Sequence, residues 1–255
     1  MITLSNKEKA TQYHTAVSAH NVEVVKSMIR EDYIQHNPHV PTGSAAFLAL
    51  IPVLKKHNTV IENIRKFQDG SHVIMHHLWK NAVPFGADQK AAFHIIRFDE
   101  DGLICEHWSV MTDLTPPNPS GRSSMDGSRE VENLHETQVN KEKVINLFQR
   151  LTTTSPSEYE DILGDFFLPN YLQHHPQLAD GDCIGKLNMQ YRLQHKVFGC
   201  GNFVLSICEA IHSGKPIACY DLFRLEKGLI VEQWNIYQHI PQTDLANDNT
   251  MFGFN

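Results

Sequence analysis

The run Arg97-Phe98-Asp99-Glu100-Asp101-Gly102-Leu103-Ile104-Cys105-Glu106-His107-Trp108 is met again, one residue shorter, as Arg224-Leu225-Glu226-Lys227-Gly228-Leu229-Ile230-Val231-Glu232-Gln233-Trp234. Two further blocks recur upstream in the same order. Asn6-Lys7-Glu8-Lys9 returns as Asn140-Lys141-Glu142-Lys143, and Tyr33-Ile34-Gln35-His36-Asn37-Pro38 returns as Tyr171-Leu172-Gln173-His174-His175-Pro176. Offsets of 134, 138 and about 126 are what a duplication leaves once loops have gained and lost residues. Between the copies, Thr115 to Ser128 is rich in the Pro, Gly and Ser that break periodic structure. The reading is two domains, residues 1–116 and 136–255, joined by a linker over 117–135.

Each half places helices before strands. Ser5-x-x-Glu8 is a capping-box pattern, and Ala10, Tyr13 and Val17 form the apolar stripe of the helix behind it. Val22, Val25, Met28 and Ile29 suit a short second helix. Phe47, Leu48, Ile51 and Leu54 suit a third, which Pro52 should bend or divide. β-Branched and aromatic segments follow near 59–67, 72–80, 90–98 and 103–113, with turns at Asp69-Gly70 and Asp101-Gly102. The second half predicts helices near 139–153, 157–167 and 182–195, then strands near 203–211, 216–225 and 229–239. This order describes an α+β fold with helices on one face of an antiparallel sheet. Val73 to Trp79 and Phe93 to Ile96 are apolar on both alternating faces, so a second cover is expected. The sheet of the other half would supply it, as an intramolecular pseudo-dimer.

Composition narrows the function classes. The 255 residues carry 22 basic and 29 acidic side chains, a net charge of −7, with no basic run longer than Lys55-Lys56, which argues against nucleic-acid binding. No apolar stretch follows a basic start, and the longest apolar run, Ala45 to Leu54, is broken by Pro52, so neither a secretory signal nor a membrane span is expected. Five cysteines with no Cys-x-x-Cys pair suit small buried hydrophobes in a reducing cytoplasm.

The Tyr33 to Pro38 block, His76 in its strand and the Arg97 to Trp108 block resemble the SnoaL-like polyketide cyclases, especially predicted aldol-condensation enzymes, of the nuclear transport factor two-like superfamily. The resemblance covers most of both halves. It implies tandem cone-shaped, cystatin-like α+β barrels, each a strongly curved sheet around three helices with a pocket at the open end. It also implies either cofactor-free acid/base chemistry on carbonyl compounds or ligand binding alone. The sequence departs from the family pattern in places. The Asp that usually follows Glu-His-Trp is Ser109 in one half and Asn235 in the other, and the usual Asp-x-Phe-Arg survives at Asp221 but becomes His94-Ile95-Ile96-Arg97 in the first half. His76 has no counterpart in Ser206-Ile207-Cys208.

By that resemblance, His36 and its repeat partner His174 face the cone, with Tyr33 and Asn37 beside His36; the other reading is an imidazole satisfying backbone groups at a loop. His76, between Ile74 and Leu78, either lines the pocket or is a core histidine. Together with His94 on the next strand it could form a neutral pair able to act as general base. Phe93, Trp108, Tyr220 and Trp234 are wall or core, and Asp221 is a carboxylate in an apolar strand. Glu106 and Glu232 suit ion pairs at the sheet surface. Neither His76-His77 nor His36-x-x-His39 matches a metal-ligand spacing, and adjacent strand residues point apart, so no metal ligands are expected. Nucleophile elbows and phosphate-binding glycine loops are missing.

The expectation is a cofactor-free protein that binds a small, mainly apolar carbonyl compound. If it turns the compound over, His36 and His76 are the catalytic pair for proton abstraction next to the carbonyl. The first half is the better site, because it keeps both histidines. The alternative is a degenerate ligand carrier or interaction module. Further homodimerisation stays open, and the tail from Pro241 to Asn255 could strap across a neighbouring surface or stay loose.

Overall fold

The computed structural model describes residues 4–254. The chain divides into two units: the first comprises the chain up to Asp113 together with Pro241–Gly253, the second Leu114–Ile240. Helix α1 (Asn6–Ser18) starts at the Ser5/Glu8 capping box, where Glu8 N–H donates to Ser5 Oγ at 3.3 Å and Ser5 N–H to Glu8 Oε2 at 2.8 Å. α2 (Val22–Met28) runs directly into β1 (Ile29–Gln35), and α3 (Ser44–Lys56) follows. β2 (Val60–Asp69), β3 (His72–Lys80), β4 (Gln89–Phe98) and β5 (Ile104–Asp113) form an antiparallel meander. β1 joins β5 in parallel, giving the order β1-β5-β4-β3-β2.

The second unit repeats the strands of the first and two of its three helices. α4 (Thr137–Leu151) and α5 (Tyr159–Leu163) precede β6 (Phe167–Gln173), β7 (Met189–Cys200), β8 (Phe203–His212), β9 (Lys215–Glu226) and β10 (Leu229–His239). Their order is β6-β10-β9-β8-β7, with β6 parallel to β10. Both units are α+β, with a bulge in β2 between Asn63 and Arg65 and two in β7 that add twist to the edges.

Three expectations change. β1 and β6 are strands where sequence pattern gave a helix end and a loop. β7 stands where a third helix was expected over 182–195, and only a 3-10 turn at Ile184–Leu187 precedes it. Pro52 sits inside α3 without dividing it. The residues read as a linker belong to the second unit, and the tail belongs to the first.

Alternate strand residues face the helices. Val73, Met75, Trp79, Ala92, Ile96 and Phe98 pack with Ala10, Tyr13, Val17, Val25, Ile51 and Leu54 as the first core. The same alternation puts His77 and His94 on that inner face and His76, Phe93 and Trp108 on the opposite one. Among the described residues, no helix is long and apolar enough to cross a membrane.

Candidate functional site

Four imidazoles occupy the interior of the first unit. His14 lies on the buried stripe of α1, one turn after Ala10, while His77, His94 and His107 come from the inner faces of β3, β4 and β5. Ring centroids are 4.4 Å apart for His14 and His77, 5.2 Å for His77 and His94, and 5.1 Å for His94 and His107. His94 Nδ1 meets His107 Nε2 at 3.0 Å, and His107 Nδ1 meets Gln35 Oε1 at 3.0 Å. Burial pushes His14 down to about 4 and His107 to about 3, and holds His77 and His94 well below the usual histidine value, with repulsion from neighbouring imidazoles adding to it. All four are therefore neutral near pH 7.

A cavity of about 270 Å³ reaches this cluster between α1 and the sheet. His14, Met75 and His77 are its buried floor, Thr11, Thr15 and Asn63 its exposed rim. Lys66 lines the same wall, and its ammonium donates to Thr11 Oγ1. Burial, followed by repulsion from Lys7, lowers the Lys66 pKa. A smaller space of about 40 Å³ adjoins His94, His107 and Asn37 on the other side.

A second arrangement, on the outer face, is built twice. His36 Nε2 lies 2.8 Å from Glu106 Oε1, Arg97 Nε donates to Glu106 Oε2 at 2.7 Å, and the His36 ring stacks on Trp108 at 4.6 Å. In the second unit His174 Nε2 lies 2.8 Å from Glu232 Oε1, Arg224 Nε donates to Glu232 Oε2 at 2.7 Å, and His174 stacks on Trp234 at 4.7 Å. Burial opposes ionisation of Glu106 and Glu232, but the hydrogen bonds from the histidine and arginine outweigh it and hold both carboxyls below their usual value.

A strap closes each of these sites. In the first unit, Asn249 Nδ2 donates to Gln35 O at 3.0 Å and His36 Nδ1 to Thr250 O at 2.5 Å. In the second, Asn118 Nδ2 donates to Gln173 O at 2.6 Å and His174 Nδ1 to Ser123 O at 2.8 Å. The straps carry a fourth repeated signal, Met125-x-Gly127 and Met251-x-Gly253, which sequence reading had missed.

Residues 10–107 match the family model of the SnoaL-like domain. Those residues are a SnoaL-like domain. Similar solved structures include an NTF2-like protein of unknown function from Cytophaga hutchinsonii, with 13% identity over 44% of this chain and 93% of that one at a TM-score of 0.38. A SnoaL-like protein of unknown function from Burkholderia thailandensis has 14% identity over 44% of this chain and 99% of that one, at 0.37. An uncharacterised cystatin-fold protein from Novosphingobium aromaticivorans has 16% identity over 42% and 99%, at 0.38. No curated protein matches the chain. Two sheets of identical strand order fit a tandem duplication.

Within the SnoaL-like domain, the residues singled out from sequence are divided between two places. Both ring nitrogens of His36 are engaged, one by the Glu106 carboxylate and the other by the Thr250 carbonyl, so neither faces a substrate. His174 is held in the same way. His76 does not meet His94: it lies across the sheet from it, with Nδ1 3.0 Å from Arg65 Nη1 and its ring on Phe93 at 4.5 Å. Phe93 and Trp108 therefore do not line the inner cavity. Tyr33 lies in the core and accepts from Gln35 Nε2 at 2.9 Å, and Asn37 Nδ2 donates to Ser109 Oγ at 3.0 Å beside the smaller space. Only His94 among the expected site histidines is in the inner cluster. His14, His77, His107 and Lys66 were missed; the available signal was a histidine one helical turn from Ala10.

In the second unit, Tyr220 and Trp234 are buried on the outer face, and Trp234 Nε1 donates to Asp126 O at 3.0 Å. Asp221 is internal and receives Tyr191 OH at 2.9 Å, Asn235 Nδ2 at 2.6 Å and Gln233 Nε2 at 3.2 Å. Burial raises its pKa against the pull of these donors. The interior cavity there is only about 10 Å³.

Proposed function

We propose that the first unit binds a small carbonyl compound in the cavity of about 270 Å³ and takes a proton from the carbon next to the carbonyl. The observation that carries this reading is that neutral imidazoles, His14 and His77, form the cavity's buried floor while a cation, Lys66, lines its wall. His14 Nδ1 lies 3.0 Å from Ala10 O and donates to it, which puts the ring's lone pair on Nε2. An imidazole in that state can accept a proton, and the Lys66 ammonium suits the oxygen on which enolate charge develops. The second unit, with its filled interior and satisfied Asp221, carries no turnover in this reading.

Deuterium uptake in D2O by a panel of small ketones and β-dicarbonyl compounds tests this directly. The wild-type chain is expected to accelerate exchange next to the carbonyl, and His14→Ala to lose about 100-fold or more of that rate. Saturable thermal stabilisation by the same compounds without any exchange would instead establish a carrier.

A further inference from the structure

Three of the buried imidazoles come from three different elements, His14 from α1, His77 from β3 and His94 from β4, and one ring nitrogen from each lies within 4.8 Å of the others. Hydrogen bonds decide which nitrogens are bare. Asn37 N–H donates to Gln35 Oε1 at 2.8 Å, so that oxygen is an acceptor and His107 Nδ1 must donate to it. His107 Nε2 is then the lone pair facing His94 Nδ1, which in turn carries the proton of His94. His94 Nε2 is left as a buried lone pair without a hydrogen-bond partner. His14 carries its proton on Nδ1, toward Ala10 O, and its lone pair on Nε2. His77 is wholly buried, and neither of its nitrogens has a partner. Each of the three grouped neutral rings thus keeps one lone pair outside the hydrogen-bond network.

We propose that His14, His77 and His94 bind one divalent transition-metal ion, with Zn²⁺ the best fit to three neutral imidazoles. This goes beyond the reading above and does not depend on it; the ion would take the His14 Nε2 lone pair, so a metal-loaded chain could not use His14 as the base. Ligand nitrogens around a tetrahedral ion at about 2.0–2.1 Å stand about 3.4 Å apart, so the cluster must contract slightly on binding. His77, with no hydrogen bond to break, is free to supply that movement. The outer partners are already in place: the Ala10 carbonyl fixes the His14 ring and the His107–Gln35 chain fixes His94, the arrangement that orients metal-bound histidines elsewhere.

Three protein ligands leave a fourth position open, and His14 and His77 both line the cavity of about 270 Å³. Lys66 is the charged side chain on that cavity's wall, so the open position favours an anionic oxygen ligand. The second unit serves as an internal contrast. The repeat offset carries His14 to Phe148, and the matching ladders carry His77 to Cys208 and His94 to Asp221. Asp221 has its hydrogen bonds satisfied, and Cys208 shares one with Ser206 at 3.3 Å.

The test uses the full chain, stripped with a chelator and titrated with Zn²⁺ against a chromophoric competitor, and with Co²⁺ for its visible spectrum. One ion per chain is expected, with a low-coordinate Co²⁺ spectrum. His77→Gln and His94→Gln should each weaken Zn²⁺ binding about 100-fold or more, beyond what loss of an outer partner gives. The exposed control His239→Gln should leave it unchanged. Should either variant fail to fold, the anomalous signal at the zinc edge from wild-type crystals grown with Zn²⁺ answers the same question. A peak among the three imidazoles sustains the site. Peaks confined to surface histidines, or affinity indifferent to His77 and His94, overturn it.

Discussion

Glu106 is the residue on which the outer arrangement of the first unit turns. One of its oxygens takes His36 and the other Arg97, and its side chain is nearly out of solvent. Desolvating a carboxylate is unfavourable, and two charge-assisted hydrogen bonds offset it. Glu106→Gln keeps the shape but sets an amide N–H against one of two donors and leaves the half-buried Arg97 guanidinium without its counter-charge. A loss of about 3 kcal/mol in the stability of the first unit is expected from urea denaturation. A change below about 1 kcal/mol would mean that water reaches the pair and that the site is an ordinary surface ion pair. Glu232→Gln should cost at least as much, since Glu232 and His174 are even more enclosed.

At the scale of elements, the capping box, the Asp-Gly turns and the alternating strands made the helices and the meander legible, and the repeated blocks made the two-fold order legible. β1 and β6 were hidden because each leaves three consecutive residues exposed, so no period of two marks them. β7 was hidden by polar residues from Gln190 to Lys196 on a bulged edge strand, which read as a helical face. The inner histidines were hidden for another reason: His14, His77 and His94 are far apart in sequence, and only the packing of α1 on β3 and β4 joins them. The straps, read as a linker and a tail, are held by their close approach to the histidines. A Cβ on Gly127, at φ +93°, would stand 2.0 Å from Glu232 Oε1 and 2.7 Å from the Trp234 ring. Gly127→Ala should therefore destabilise the second unit by about 2 kcal/mol or more, through strain and through lifting the strap from His174. Faster proteolysis between Thr115 and Ser128 is the accompanying sign. Unchanged denaturation and unchanged cleavage would show that the strap contributes little.

For the whole molecule, the unequal interiors predict unequal acid sensitivity. His14, His77, His94 and His107 in the first unit, and His175, pushed by burial to about 4, in the second, all have folded values below the usual 6.5. The unfolded chain binds protons at these positions that the folded chain refuses. Stability is thus full above about pH 6.5 and lost as the pH falls toward about 4, at about 1.4 kcal/mol per pH unit for each such histidine. Glu106 and Glu232, held below their usual value, add to the loss further into acid, where their pairing protons arrive. His195 of the second unit is also lowered by burial, so four of six such histidines belong to the first unit, and its unfolding should become the more proton-dependent of the two. Urea titrations from pH 7 to 4.5 with Trp234→Phe, which leaves Trp79 and Trp108 as reporters of the first unit, measure this slope. Uptake of fewer than one proton by the first unit between pH 6.5 and 5 would contradict a set of buried neutral imidazoles. An interior with this acid sensitivity keeps four uncharged imidazoles at neutral pH, three of them the proposed ligands, whereas the second unit meets the same positions with a hydrogen-bonded Asp221 and a filled core.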